Sequence, residues 1–156
     1  RTRGGIIVAE FGEAFYMGFN YNAQYGPQPG DPILPNDGDT WDPALPEGWS
    51  EIALETPLGI MFEENEKKNS GVRVIDLVPD SNAARHGGIA VGDQLVGVTA
   101  VRIMGGKYER RMYDTRKWDF DVVVEAIQSN TPKFNCEDVL LRFERPATEP
   151  AAPAAE

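Results

Sequence analysis

The sequence predicts a mainly β domain with two helices, preceded by an extension of different character. Three observations predict it. Between Ser50 and Glu144, short apolar runs alternate with Gly, Pro and polar turn residues. Two segments there carry helix start signals, at Ser81 and at Asp119. Ahead of them, residues 1–49 hold fourteen Gly and Pro residues and eight of the fifteen aromatics.

Ser50 to Glu55 reads as the first strand of the domain, with Ile52 and Leu54 on one face. Thr56-Pro57-Leu58-Gly59 is a turn, and Ile60, Phe62 and Glu64 continue the alternation beyond it. Glu66 to Gly71 is a polar hairpin loop. The run Val72 to Val78 is apolar on both faces, which predicts a strand near the middle of the fold. Ser81 caps a short helix over Asn82 to His86, and Gly87-Gly88 stops it. Ile89, Val91, Leu95, Val96 and Val98 read as core residues around a Gly92-Asp93 turn. Val101, Ile103 and Tyr108 read as a further strand, and Lys107 to Lys117 as a charged insertion. Asp119 caps a second helix reaching toward Asn130, with Val123, Val124 and Ile127 as its apolar stripe. Pro132 ends that helix, and Val139 to Glu144 is the closing strand. Residues 147–156, mostly Pro, Ala, Thr and Glu, are a flexible tail.

A chain of 156 residues is long enough to bury a core without disulfides, and the single cysteine, Cys136, has no internal partner. Fifteen Lys and Arg against twenty-five Asp and Glu leave a net charge of −10, which argues against a general nucleic-acid surface. Residues 1–49 contribute two arginines against seven acids. No apolar run approaches the roughly 18 residues of a spanning helix; peripheral attachment to a membrane complex stays open. The start at Arg1 reads as a processed product or a fragment, so the lack of a targeting peptide says nothing about destination.

The extension is too aromatic for an ordinary linker. Phe11 and Phe15 stand four residues apart, and Phe15, Tyr16, Phe19 and Tyr21 form a candidate partner-binding arm. Packing of these rings back onto the domain and disorder of the extension are the other readings.

Catalytic and metal-binding patterns do not compete. His86 stands alone at a helix end, Ser81 reads as a cap, and Cys136 has no histidine near it in sequence. Glu63-Glu64 alternate across a strand, while Asp119 and Asp121 suit a helix start. Gly87-Gly88 and Gly105-Gly106 lack a phosphate-loop ending, and no cofactor or metal is expected. The bases Lys107, Arg110, Arg111, Arg116 and Lys117 suit a solvated loop with local salt bridges, with an acidic protein or a lipid head group as the alternative partner.

Pro57-Leu58-Gly59-Ile60 and Gly88-Ile89-Ala90-Val91-Gly92-Asp93-Gln94-Leu95, in that order and followed by the Asp119 helix, resemble a PDZ domain over Ser50 to Arg145. The resemblance implies a PDZ-like partly open antiparallel β-barrel over residues 50–146, with the 1–49 extension before it. It also implies a peptide added as a strand between Ile60-Phe62 and the second helix. Backbone N–H groups near Leu58, Gly59 and Ile60 would hold a carboxylate, and Leu58, Ile60, Phe62, Phe120 and Val124 would line the groove. Phe120 would favour an apolar ligand side chain. Three departures bear on this: Glu55 precedes the loop where a base would help, Val98-Thr99-Ala100 replaces an Asn-Gly turn, and the 105–117 insertion is long. An internal segment, or the chain's own aromatic extension, is then an alternative occupant.

The expected function is a non-enzymatic protein-binding accessory or scaffold subunit that stabilises a larger assembly. The alternative is a regulatory peptide-binding fragment of a PDZ-containing protease. The processed-looking start and the aromatic extension also resemble plastid proteins of photosynthetic membranes. That resemblance suggests a chloroplast, a peripheral thylakoid site and a photosystem-type complex.

Overall fold

The computed structural model describes residues 33–35, 44–104 and 107–147. The arm candidates Phe15, Tyr16, Phe19 and Tyr21 lie outside them. Seven strands and two helices follow in the order β1 (Leu34–Pro35), β2 (Trp49–Leu54), β3 (Ile60–Glu64), β4 (Val72–Leu77), α1 (Asn82–His86), β5 (Gln94–Met104), β6 (Lys107–Asp114), α2 (Phe120–Gln128) and β7 (Val139–Glu144).

The sheet branches at β5. On one edge β5 pairs first with β4, at Gln94 and Leu95, and then with β6 from Gly97 to Met104. On its other edge it pairs with β7, which in turn pairs with β2. Leu95 faces Val72 on one side and Phe143 on the other, so it is a seam of the curled sheet. The outcome is a mainly β, partly open antiparallel barrel with two helices.

Inward side chains of β2, β4, β5, β6, β7 and both helices meet in the main apolar cluster, and Val101, Phe134 and Cys136 form a smaller one. Val72, Val74, Leu95, Val98, Val123, Val139, Leu141 and Phe143 are at most 1% exposed. Each such burial contributes about 1.5–3 kcal/mol. α2 enters this cluster through Val123 and Ala126, with Val122 and Ile127 at its margins.

Both helices start and stop as their local sequence dictates. The Ser81 hydroxyl accepts from the Ala84 N–H (3.2 Å), and Gly87 at φ +83° ends α1. Asp119 accepts from the Val122 N–H (3.0 Å) at the start of α2. α2 stops at Gln128, short of Asn130, and Pro132 opens a separate 3-10 turn over Pro132–Phe134.

Three expectations are corrected. Lys107 to Asp114 is a strand, not an inserted loop: its backbone pairs with β5 along the whole run, and Met112 and Tyr113 are buried. Val98-Thr99-Ala100, which lacks an Asn-Gly turn signal in the sequence, lies within the eleven residues of β5, so the hairpin closes further on. Val91 is 62% exposed: the 88–93 loop buries Ile89 in the core and pairs with the Val74 backbone through Gly92 and Asp93, which leaves the Val91 side chain in water. β4 is central in order, but its second face is open, with Ile75 39% exposed.

The long hairpin is held by polar contacts. Asn130 Oδ1 accepts from Thr99 Oγ1 (2.9 Å) and Arg110 Nε (3.0 Å), while its Nδ2 donates to Thr99 O, Ala126 O and Ile127 O. Arg110 also pairs with Asp138 (3.0 Å). Arg111 pairs with Glu109 and Arg116 with Asp114, so these three bases are locally neutralised. Arg111 Nη1 further donates to Pro35 O (2.7 Å), where β1 lies parallel on β6. At the far end of β7, Arg145 donates twice to the buried Asp93 carboxylate, at 2.9 Å each.

Candidate functional site

β3 is a terminal strand: among the described residues it pairs with β4 on one edge only. α2 lies beside it. Glu64, at the end of β3, accepts at Oε1 from the Phe120 N–H that opens α2 (3.4 Å). Ile60, Phe62 and Ile127 all pack against the main core, and they tie strand and helix to one apolar floor. Phe120, Val124 and Ile127 follow the i, i+4, i+7 spacing and share one flank of α2.

The candidate groove residues sit as follows. Ile60, Phe62 and Val124 are half-buried, and Phe120 is 37% exposed. Leu58 sends its side chain into the main core, which leaves only its backbone for a ligand. Met61, on the strand face opposite Ile60 and Phe62, is 48% exposed, and the register shifts between Met61 and Phe62.

The turn before β3 is built from the carbonyl side. Asn82 Nδ2 donates to Glu55 O (2.8 Å) and Pro57 O (3.1 Å). The Ala83 N–H donates to Leu58 O (2.9 Å), and the Val78 N–H to Gly59 O (2.8 Å). The carbonyls of Pro57, Leu58 and Gly59 are therefore all held by the 78–83 segment. The peptide bonds that follow each of these carbonyls are trans. In a trans peptide, C=O and N–H point in opposite directions. The N–H groups of Leu58, Gly59 and Ile60 are thus turned away from the 78–83 segment together. Successive amides presented in this way form a concavity for an anion.

Gly59 makes the turn possible. Its φ is +83°, and a β-carbon there would stand 2.1 Å from Ser81 Cβ. Ser81 thus serves as helix cap and as close packing partner. Glu55 is exposed at the entrance. The nearby cation is Arg85, which donates to Asn82 Oδ1 (2.8 Å) and to Asp80 O.

Sequence reasoning did not single out Asn82 or Arg85. The carbonyls that the Asn82 amide meets stand 27 and 25 residues away, a distance with no local signature, and the local Arg85 contact gains a role only through them. The alternation places Glu64 on the strand, and the fold adds its reach to the α2 N-terminus, where the helix dipole stabilises a carboxylate.

The remaining reactive groups have structural partners. His86 Nδ1 accepts from the Gly88 N–H (3.1 Å). Glu63 pairs with Arg73. Cys136 is buried beside Val101 and Phe134, and burial pushes its thiol pKa up, away from a reactive thiolate. Among the described residues no three His, Cys, Asp or Glu side chains gather as metal ligands.

No protein-family model matches the chain, and no curated protein matches it in sequence. Solved structures do resemble it. The second PDZ domain of Dlg1 from the choanoflagellate Monosiga brevicollis is 21% identical, covering 62% of this chain and 92% of that one, at a TM-score of 0.46. The PDZ domain of choanoflagellate SHANK1, solved bound to a GIRK3 peptide, is 22% identical, covering 67% and 100%, at 0.48. A human PDZ domain solved in solution is 19% identical, covering 72% and 97%, at 0.49.

Proposed function

We propose that this chain is a non-enzymatic, PDZ-type protein-binding module that captures an extended peptide as an added strand on the open edge of β3, beside α2. One observation carries the reading. The carbonyls of Pro57, Leu58 and Gly59 are consumed by the 78–83 segment, and the opposed N–H groups lie at the start of the unpaired strand edge. An added strand is held by main-chain hydrogen bonds along such an edge, with its end in the amide concavity. Phe120 and Val124 on the α2 flank favour apolar ligand side chains.

Within this reading the module is an accessory subunit of a larger assembly. The aromatic run Phe15, Tyr16, Phe19 and Tyr21 would supply a second contact to a protein partner. Residence at a photosynthetic membrane is carried by sequence resemblance alone.

The test uses the hexapeptide acetyl-Lys-Lys-Ala-Phe-Ala-Val, with a free carboxylate, titrated into isotope-labelled protein. Amide shifts are expected along Leu58 to Glu64 and along α2. Val124→Glu, in a variant that keeps the folded spectrum, should weaken binding at least about tenfold, since it buries an unpaired charge under the ligand. Lys68→Glu, in the exposed hairpin turn, should leave it unchanged. Equal binding by wild type and folded Val124→Glu rejects the groove.

A further inference from the structure

We infer that Asn82 is the positioning residue of the carboxylate-binding turn, and that Arg85 fixes the orientation in which its amide does this. The inference rests on the strand-capture reading and names what keeps that site formed.

The argument starts with the turn's own weakness. Glu55 to Gly59 leaves the sheet between β2 and β3, so no ladder holds its backbone. Its shape depends on the bonds its carbonyls receive. Two of those carbonyls, Glu55 O and Pro57 O, are served by one side-chain NH2 group, that of Asn82. Asn82 is the first residue of α1, and the next residue's N–H holds Leu58 O. One rigid helix start therefore grips the turn at three carbonyls.

An asparagine amide is two-faced: rotated by half a turn it would present its oxygen to the same carbonyls and repel them. Arg85 removes that choice. Its guanidinium donates to Asn82 Oδ1 at 2.8 Å and also to Asp80 O. Arginine has donors only, so the amide oxygen must face it and the NH2 must face the turn. The chain Arg85 to Asn82 to Pro57 C=O continues through the peptide unit to the Leu58 N–H. Each hydrogen bond in such a chain polarises the next, so a cation outside the site makes Leu58 N–H a better donor to an anion. The turn has Glu55 where a base would assist a carboxylate; Arg85 supplies positive polarisation from behind it.

The consequence is specific to the ligand's charged end. Loosening the turn weakens the grip on a terminal carboxylate, while the strand contacts along Ile60 to Glu64 remain. The experiment compares acetyl-Lys-Lys-Ala-Phe-Ala-Val with its C-terminal amide on wild type, Asn82→Ala, Asn82→Asp, Arg85→Gln and Arg85→Lys. Wild type should prefer the acid. Asn82→Ala should lower that preference about five- to tenfold, the loss of one to two hydrogen bonds, and leave the amide's affinity as in wild type. Asn82→Asp keeps the shape and the Arg85 pair and suits a first helical turn, so α1 stays formed; it should lose the acid preference at least as fully. Arg85→Gln should lower the preference about threefold, and Arg85→Lys should restore part of it.

Asn82→Ala and Asn82→Asp variants that are folded and keep the wild-type acid-to-amide ratio overturn the assignment while strand capture stands. An equal loss of both peptides in these variants assigns Asn82 a purely structural role and also overturns it. Absence of any β3 or α2 shift with either peptide on wild type removes the strand-capture reading, and this inference with it.

Discussion

Gly59 and Ser81 are packed so closely that a β-carbon on Gly59 would lie 2.1 Å from Ser81 Cβ and 2.3 Å from its Oγ. Gly59→Ala therefore combines a hard contact with a disfavoured left-handed backbone at φ +83°. The variant should lose about 2–3 kcal/mol in denaturant unfolding. In a Ser81→Gly background the contact is gone, and the same change should cost measurably less. Additive costs in that double-mutant cycle would show that the pair is not coupled.

The Asn130 side chain makes five hydrogen bonds to four residues: two to Thr99 of β5, one each to Ala126 and Ile127 of α2, and one to Arg110. Asn130→Ala leaves the buried Thr99 hydroxyl and Arg110 without that acceptor, which should destabilise the fold by about 3 kcal/mol. Amide exchange should rise first in the far half of the β5–β6 hairpin. Unchanged protection there would mean that backbone pairing alone holds the hairpin.

Asp93 is 2% exposed and its carboxylate receives Arg145 twice and the Ala90 N–H once. Arg145→Ala strands most of that charge. A loss of about 2 kcal/mol is expected, moderated because the outer part of the guanidinium is already in water. Asp93→Asn with Arg145→Ala should be less harmful than Arg145→Ala alone, which thermal unfolding would read directly.

Burial raises the Cys136 thiol pKa, with Asp138 adding to that and Arg110 opposing it. A thiol whose folded pKa is raised contributes stability that is present below the unfolded value and lost as pH climbs beyond it. Stability should thus fall as pH passes about 8.5, and Cys136→Ala should flatten that fall. Alkylation of the native thiol by iodoacetamide should track unfolding, and fast labelling of folded protein would contradict this burial.

Asp114 shows the opposite linkage. Burial works to raise its pKa, but the Arg116 side chain and N–H, with Lys117, outweigh it and hold the carboxyl below its ordinary value. Its contribution is present above the unfolded pKa and is lost as pH falls through the folded one. Arg116 is half exposed, so the effect is small. Asp114→Asn should shift the acid-unfolding midpoint slightly upward and reduce the steepness of that limb.

What the sequence determined by itself are the features written within a few residues of one another. The Ser81 and Asp119 caps, the Gly87 stop, the Glu66–Gly71 hairpin and the inward alternation of Ile52 and Leu54 depend on neighbours three or four positions away, or on period two. Each was legible for that reason. The place of β3 beside α2 was an implication of the PDZ resemblance carried by the Leu58-Gly59 turn and the Gly88–Leu95 run, not of periodicity or spacing.

Only the tertiary structure decided the rest. Lys107 to Asp114 reads as a charged loop because Arg and Glu have weak strand preference. It is a strand because β5 supplies a complete backbone partner, and because Arg110 and Arg111 find carboxylates and carbonyls to meet. Val91 looks like core from its neighbours, yet the loop spends its inward position on Ile89 and pairs Gly92 and Asp93 with Val74, which leaves Val91 in water. The grip of Asn82 on Glu55 and Pro57, and of Asn130 on Thr99, joins residues 25 to 31 positions apart. A single side chain's hydrogen-bonding capacity is visible in sequence, but which distant carbonyl meets it is set by how the packed elements bring them together.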